Sequence, residues 1–166
     1  MNQKIMEFNV EDLVRFLIRA RKCGYAGSAE KVKNPQRPGF KEFPPYAKGP
    51  FEYVDSYAGD YYAPGQEVVR CNGIPVWNMA YNGGMLPKFH GNLELSKRTY
   101  NFLKKALLRA KPEKPFRGPE RFAEGDFEYI NKSEGDIKNF KGTERILFKN
   151  MEVFRQDYIG GLIIHK

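Results

Sequence analysis

The chain repeats itself. Residues 46–60 read YAKGPFEYVDSYAGD and residues 122–136 read FAEGDFEYINKSEGD, an offset of 76. One inserted residue later the correspondence resumes at an offset of 77, with GQEVVRCNGIPVWNMAYNGGML (65–86) over GTERILFKNMEVFRQDYIGGLI (142–163). Thirteen of these 37 positions are identical, where average residue usage gives unrelated segments about 2. A repeated unit that buries its apolar face only partly must share a core with its copy. Positions that differ between the copies are then candidates for function.

Periodicity places the elements. Val10, Leu13, Val14, Leu17 and Ile18 form one stripe of a helix over 10–22, with Asn9 as N-cap, acids in the first turn and Gly24 as a stop. A second helix is expected over 93–111, ahead of Pro112 and Pro115. Alternation predicts strands at 51–57, 66–71 and 74–82, and again at 127–132, 143–149 and 151–159. A short strand at 4–8 would precede the first helix. Asn72-Gly73 is a strong hairpin signal, because both central residues of a type I′ turn need positive φ. The copy has Lys149-Asn150 there, and Asn tolerates that conformation next best. Gly83-Gly84 and Gly160-Gly161 fall at equivalent strand ends and suggest a bend, a bulge or close approach of a ligand. Residues 25–50, with five prolines, read as a long loop, and such loops are often functional. The expectation is a single α+β domain over 1–166, an (αβββ)₂ duplication with half-repeats at about 10–86 and 93–163. Its two helices would pack on one antiparallel sheet system.

Composition narrows the partners. Hydrophobic content of 41% with 13 Phe and 10 Tyr argues against disorder. Two cysteines and no apolar run of about 18 residues fit a soluble protein of a reducing compartment, and the first residues lack the apolar core of a signal peptide. A cytoplasmic protein is expected, with no membrane partner. His90 and His165 have no neighbouring ligands at metal spacing, so no metal is expected. None of Ser28, Ser56, Ser96 or Ser133 lies in a G-x-S-x-G context, and no phosphate loop occurs. No cofactor is expected.

Shared residues such as Phe51/Phe127, Tyr53/Tyr129 and Tyr81/Tyr158 most simply encode the common fold. Glu67/Glu144 is shared as well, and would cap a turn or meet an arginine such as Arg70 or Arg145. The first copy alone has Asp55, Tyr57, Trp77 and Met79, where the second has Asn131, Ser133, Phe154 and Gln156. Alternation puts Asp55 and Tyr57 on one face with Phe51 and Tyr53, and gathers Trp77, Met79 and Tyr81 on one face of the next strand. Aromatic surfaces with a few polar groups make ligand pockets.

The run Arg37-Pro38-Gly39, Tyr46, Gly49, Phe51, Tyr53, Asp55, Tyr57, Gly59, Gly65, Glu67, Val69 and Gly73-x-Pro75-x-Trp77-x-Met79-x-Tyr81-x-Gly83 resembles an uncharacterised prokaryotic domain family. Phe16-Leu17, Tyr25-Ala26-Gly27 and Pro115-Phe116-Arg117-Gly118-Pro119 extend the likeness to about residues 12–163. Members of that family occur alone or fused behind XRE-type helix-turn-helix DNA-binding domains. The resemblance implies a ligand-sensing or regulatory role, and it supplies no established catalytic residues to carry over. This chain departs from it at Phe43-Pro44-Pro45, and its first helix runs into a Pro-rich loop rather than a helix-turn-helix.

Three readings stand. The first is a small-molecule-binding, regulatory module. Its site comprises Arg37, Tyr46, Asp55, Tyr57, Glu67, Trp77 and Tyr81 under the 25–50 loop, with Arg37 taking an anionic group. The second is a nucleic-acid partner, which the +8 charge permits. It would use Arg15, Arg19 and Lys22 on the first helix and Lys97, Lys104 and Lys105 on the second. The third is an enzyme using Asp55 and Glu67 for acid–base chemistry. The balance lies against catalysis.

Overall fold

The computed structural model describes residues 8–27 and 29–166. The strand expected at 4–8 therefore falls outside the described residues, apart from Phe8. Helix α1 (Val10–Cys23) forms where its stripe predicts. The Asn9 side chain accepts from the Glu11 N–H at 2.7 Å, and the Gly24 N–H donates to the Ala20 carbonyl. Leu13, Phe16, Leu17 and Ala20 are buried. Helix α2 (Leu93–Leu107) ends a turn short of the expected residue 111, with Arg109 Nη1 donating to the Lys105 carbonyl at 2.7 Å.

Among the described residues nine strands make one antiparallel sheet: β1 (Lys41–Glu42), β2 (Tyr46–Lys48), β3 (Phe51–Tyr57), β4 (Gly65–Cys71), β5 (Ile74–Met85), β6 (Arg121–Glu124), β7 (Phe127–Asp136), β8 (Asn139–Phe148) and β9 (Met151–Leu162). The order is β1-β3-β4-β5-β9-β8-β7-β6, with β2 also on β3. The protein is α+β, with two helices on this sheet. The residues 25–50 are not all loop. Tyr46–Lys48 is a strand of 3 residues between Pro45 and Pro50, too short to show alternation, and β6 pairs with β7 as β2 pairs with β3. Each half thus holds at least four strands rather than three.

The ladders of the two halves run in corresponding registers. Phe51 pairs with Cys71 in β3–β4, and Phe127 with Phe148 in β7–β8. A register break between Val69 and Arg70 recurs between Ile146 and Leu147. Tyr81 and Tyr158, which the sequence repeat equates, are direct partners across the central β5–β9 ladder. Both hairpin turns have positive φ at both central residues: 49° and 82° at Asn72 and Gly73, 50° and 64° at Lys149 and Asn150. No register break falls at the glycine pairs, which sit where neighbouring backbones come close. A Cβ at Gly83 would stand 2.3 Å from the Arg155 carbonyl oxygen, and one at Gly160 would stand 2.4 Å from that of Asn78. Backbones pass too closely there for any side chain.

The core has two parts. α1 packs Leu13, Phe16 and Leu17 on Phe51, Tyr53, Val69 and Trp77. α2 packs Leu95, Phe102 and Leu103 on Phe127, Tyr129, Ile146 and Phe154. Between them runs the buried segment 115–118, whose Phe116 ring stacks on Phe140 at 4.3 Å.

One steric device occurs in both halves. Tyr81 lies opposite Gly65, and Tyr158 lies opposite Gly142. Each tyrosine ring crosses the space a side chain would fill, so a Cβ on either glycine would meet the tyrosine oxygen at 2.3 Å and a backbone carbonyl oxygen at 2.6 Å. Gly142→Ala is expected to destabilise the protein by about 1–3 kcal/mol through overpacking. A thermal melt should show a drop of several degrees, and an unchanged melt would contradict this account of the glycine.

Candidate functional site

Strand register brings two acids side by side. Asp55 on β3 is the direct cross-strand partner of Glu67 on β4, and both are buried, at 4% and 3% exposure. Like charges in that position repel. Burial, then the charge of Glu67, raises the Asp55 carboxyl from its ordinary 3.8 to about 7, although Tyr81, Arg117 and Arg21 pull the other way. Tyr81 reaches over Gly65 and donates to Asp55 Oδ1 at 3.0 Å. Burial, then Asp55 and Glu67, pushes the Tyr81 phenol well above its usual range, so Tyr81 stays a donor.

The second half has the same geometry without the second acid. Tyr158 donates to Asn131 Oδ1 at 2.8 Å, and Asn131 is the cross-strand partner of Glu144. Asn131 Nδ2 in turn donates to the Gly118 carbonyl at 3.0 Å. Glu144 is fully enclosed. It accepts from Tyr129 at 2.7 Å, from Gln156 at 3.0 Å and from Arg117 Nε at 3.1 Å.

Two buried arginines offset the carboxylates. Arg21, from the last turn of α1, donates through Nη2 to Glu67 at 3.0 Å. Arg117 holds Glu144 through Nε and Nη2 and reaches Glu67 through Nη1 at 3.5 Å. Burial opposes the charge of Arg117, but the charge and hydrogen bonds of Glu144, then Glu67, outweigh it and raise its pKa. Arg21 Nη1 is buried with no hydrogen-bond partner among the described residues.

These groups floor a cavity of about 500 Å³, within the range of small-molecule sites. Tyr53, Asp55, Glu67, Tyr81, Arg21, Arg117 and Gln156 form its base. Tyr25, Tyr57 and Tyr61 and the α2 residues Ser96, Tyr100, Leu103 and Lys104 complete the lining. The Tyr25 and Tyr57 rings meet edge to face at 5.7 Å, and Tyr100 donates to the Tyr61 carbonyl at 2.9 Å. Lys31, Lys41, Lys97 and Lys104 also line it. Lys104 lies 4.9 Å from the Tyr25 ring centre, while Lys31 and Lys41 lie 5.7 and 5.6 Å from that of Tyr57. Burial, then Lys31, lowers the Lys104 pKa.

Of the seven residues expected at a pocket, Asp55, Tyr57, Glu67 and Tyr81 line this cavity; Arg37, Tyr46 and Trp77 do not. Trp77 shares a face with Tyr81 but is fully buried. Its ring stacks on Phe140 and its Nε1 donates to the Ile137 carbonyl, because the β7–β8 hairpin of the other half covers it. Tyr46 stacks on Phe16 and fastens β2 to α1. Arg37 is held outward by Glu42 at 3.7 Å and lies over Phe40. Glu67 meets neither Arg70 nor Arg145, which lie on the opposite face and pair with Glu52 and Glu152.

The basic residues of the two helices differ in their surroundings. Arg15 pairs with Glu11 and Asp12, and Lys105 pairs with Glu124. Arg19 and Lys22 are exposed on α1, while Lys97 and Lys104 line the cavity. Sequence reasoning missed Arg21 and Arg117 as site residues. Among the described residues no group of three or more His, Cys, Asp or Glu could hold a metal, and no helix is long and apolar enough to cross a membrane.

Fold and site together define an α+β protein with a half-enclosed, tyrosine-walled cavity over a buried charge network. The chain belongs to the DUF5680 family, a domain of unknown function, whose profile matches residues 55–163. The match begins at Asp55, so α1 and the 25–50 segment lie outside it. No curated protein and no solved structure matches the chain.

Proposed function

We propose that this protein is a small-molecule-binding module whose site is the cavity above Asp55. The observation that carries the reading is the contrast between the halves. The second half satisfies its tyrosine with a neutral amide, Asn131, whereas the first uses a carboxyl beside Glu67. An acid kept at a cost to stability, at the foot of a cavity, is what a functional site looks like. The contrast presumes that the halves descend from one doubled unit. The corresponding ladder registers and the Tyr81–Tyr158 pairing support that descent. A regulatory use of the binding is part of the proposal and rests on resemblance alone.

A thermal-shift screen tests it. A ligand at 100 times its Kd adds about 2.7 kcal/mol of stability, a shift of several degrees. Asn101→Trp, at an exposed position on the cavity wall, should plug the mouth and remove the shift while leaving the apo melt close to wild type. The reading fails if a broad screen of anions, cations and neutral metabolites gives no shift, or if every shift survives in the plugged variant.

A second reading, acid–base chemistry on the bound molecule, is favoured by an Asp55 carboxyl that titrates at about 7. It requires turnover of a ligand found in the screen, abolished in Asp55→Asn.

A further inference from the structure

The charges of the cavity are layered. At the floor, Arg21 and Arg117 are opposed by Glu67 and Glu144, with Asp55 beside them, so no surplus positive charge exists there. At the mouth the balance differs. Lys41 is matched by Asp60, but Lys31, Lys97 and Lys104 have no carboxylate within ion-pair distance among the described residues. All three of these unmatched lysines line the one cavity. Lys104 is half-buried, so its field is less screened than that of a lysine in open water.

The middle layer is aromatic. Tyr25, Tyr57 and Tyr100 present ring surfaces, and the Tyr100 ring is fixed through its hydroxyl on the Tyr61 carbonyl. The floor is polar and enclosed. Arg21 lines the cavity, its side chain is 5% exposed, and its Nη1 has no hydrogen-bond partner among the described residues. That nitrogen has almost no accessible surface, so a guest would meet the floor through Asp55 and Tyr81 rather than through it. Asp55 and Tyr81 stand at the same level.

Taking the binding reading above as its basis, we infer that the cavity receives an anionic aromatic small molecule, with its charged group at the lysine mouth and its uncharged end towards the floor. A cationic guest would meet the lysines on entry. A neutral guest would gain nothing from them. A second anionic group at the floor would face Glu67.

Matched probes test this. 4-Hydroxybenzoate and adenosine monophosphate represent carboxylate and phosphate forms of the chemistry; 4-hydroxybenzamide and adenosine are their neutral counterparts, and tyramine is the cation. Calorimetric titration of the wild-type chain should show at least one anion binding about tenfold or more tighter than its neutral partner, and weakening as salt rises. The double variant Lys31→Glu/Lys104→Glu should remove that preference. Equal binding of anion and neutral partner, or tighter binding of tyramine, overturns the anion assignment and leaves the cavity as a binding site. If none of the five binds and the thermal screen is also silent, both readings fall. If the screen finds only neutral or cationic ligands, this inference alone falls.

Discussion

Asp55→Asn is expected to raise the melting temperature at pH 8. Removing a hydrogen-bonded, buried side chain ordinarily destabilises a protein. Here the native group is a carboxylate forced against Glu67, and the substitute already works in the other half, where Asn131 accepts from Tyr158 at 2.8 Å. An amide introduced at position 55 can accept from Tyr81 in the same way and donate towards Glu67. The pH dependence has a definite sign. The folded carboxyl titrates at about 7 and the ordinary value is 3.8, so the fold holds this proton more tightly than the unfolded chain does. The stability linked to that proton is complete below about pH 3.8. It declines across the window up to about 7 and is absent above it. Wild type should therefore lose stability between pH 5 and 7.5 relative to the variant, by a few kcal/mol at the upper end as an order of magnitude. Melts of both proteins across that range check the sign, and carbon-13 NMR of the Asp55 carboxyl checks the midpoint. A lower melting temperature for the variant at pH 8 would show that the carboxylate is structural.

Arg117→Met is expected to be the most damaging single change. It removes the cation that holds Glu144 and reaches Glu67, leaving Arg21 alone among the buried acids. Breaking a buried pair in this way costs about 3–5 kcal/mol, a large share of a domain's stability. Urea unfolding at pH 8 should register that loss, or the variant should fail to accumulate as folded protein. Adding Glu144→Gln should recover part of it, since the amide oxygen still accepts from Tyr129 and no charge is stranded beside it. A single variant as stable as wild type would mean that water, not Arg117, balances the carboxylates.

Much of the fold is legible because its signals are local and similar ones recur in both halves. Turn chemistry at Asn72-Gly73 and Lys149-Asn150, alternation in β3–β5 and β7–β9, and the α1 stripe are local signals, and the structure follows each of them. β2 and β6 escape because strands of three or four residues beside prolines or loops give alternation no room. At the site, Asp55, Tyr57, Glu67 and Tyr81 can be chosen because they lie on one face of adjacent strands. Trp77 satisfies the same rule. It is removed from the site by Phe140 and Ile137, sixty or so residues away, which no periodicity reveals.

The arginines teach the converse lesson. Arg21 reads in sequence with the exposed basic residues of α1, yet it stands four residues after Leu17 and therefore on the apolar stripe. A charged residue in that position calls for a buried partner, and Glu67 supplies it. Arg117 sits between Phe116 and Gly118 in a proline-flanked segment to which periodicity assigns no helix or strand. The whole of 115–118 is buried, and it brings Arg117 to both Glu144 and Glu67.

Amide NMR mapping of the wild-type chain with any ligand that raises its melting point tests the binding claim most directly. The expected perturbations gather at Tyr57, Tyr61, Tyr100 and Lys104, around the mouth above Asp55, with the equivalent ground near Asn131 undisturbed. Shifts centred on the exposed Arg15–Arg19–Lys22 face of α1, or spread evenly over both halves, would contradict it.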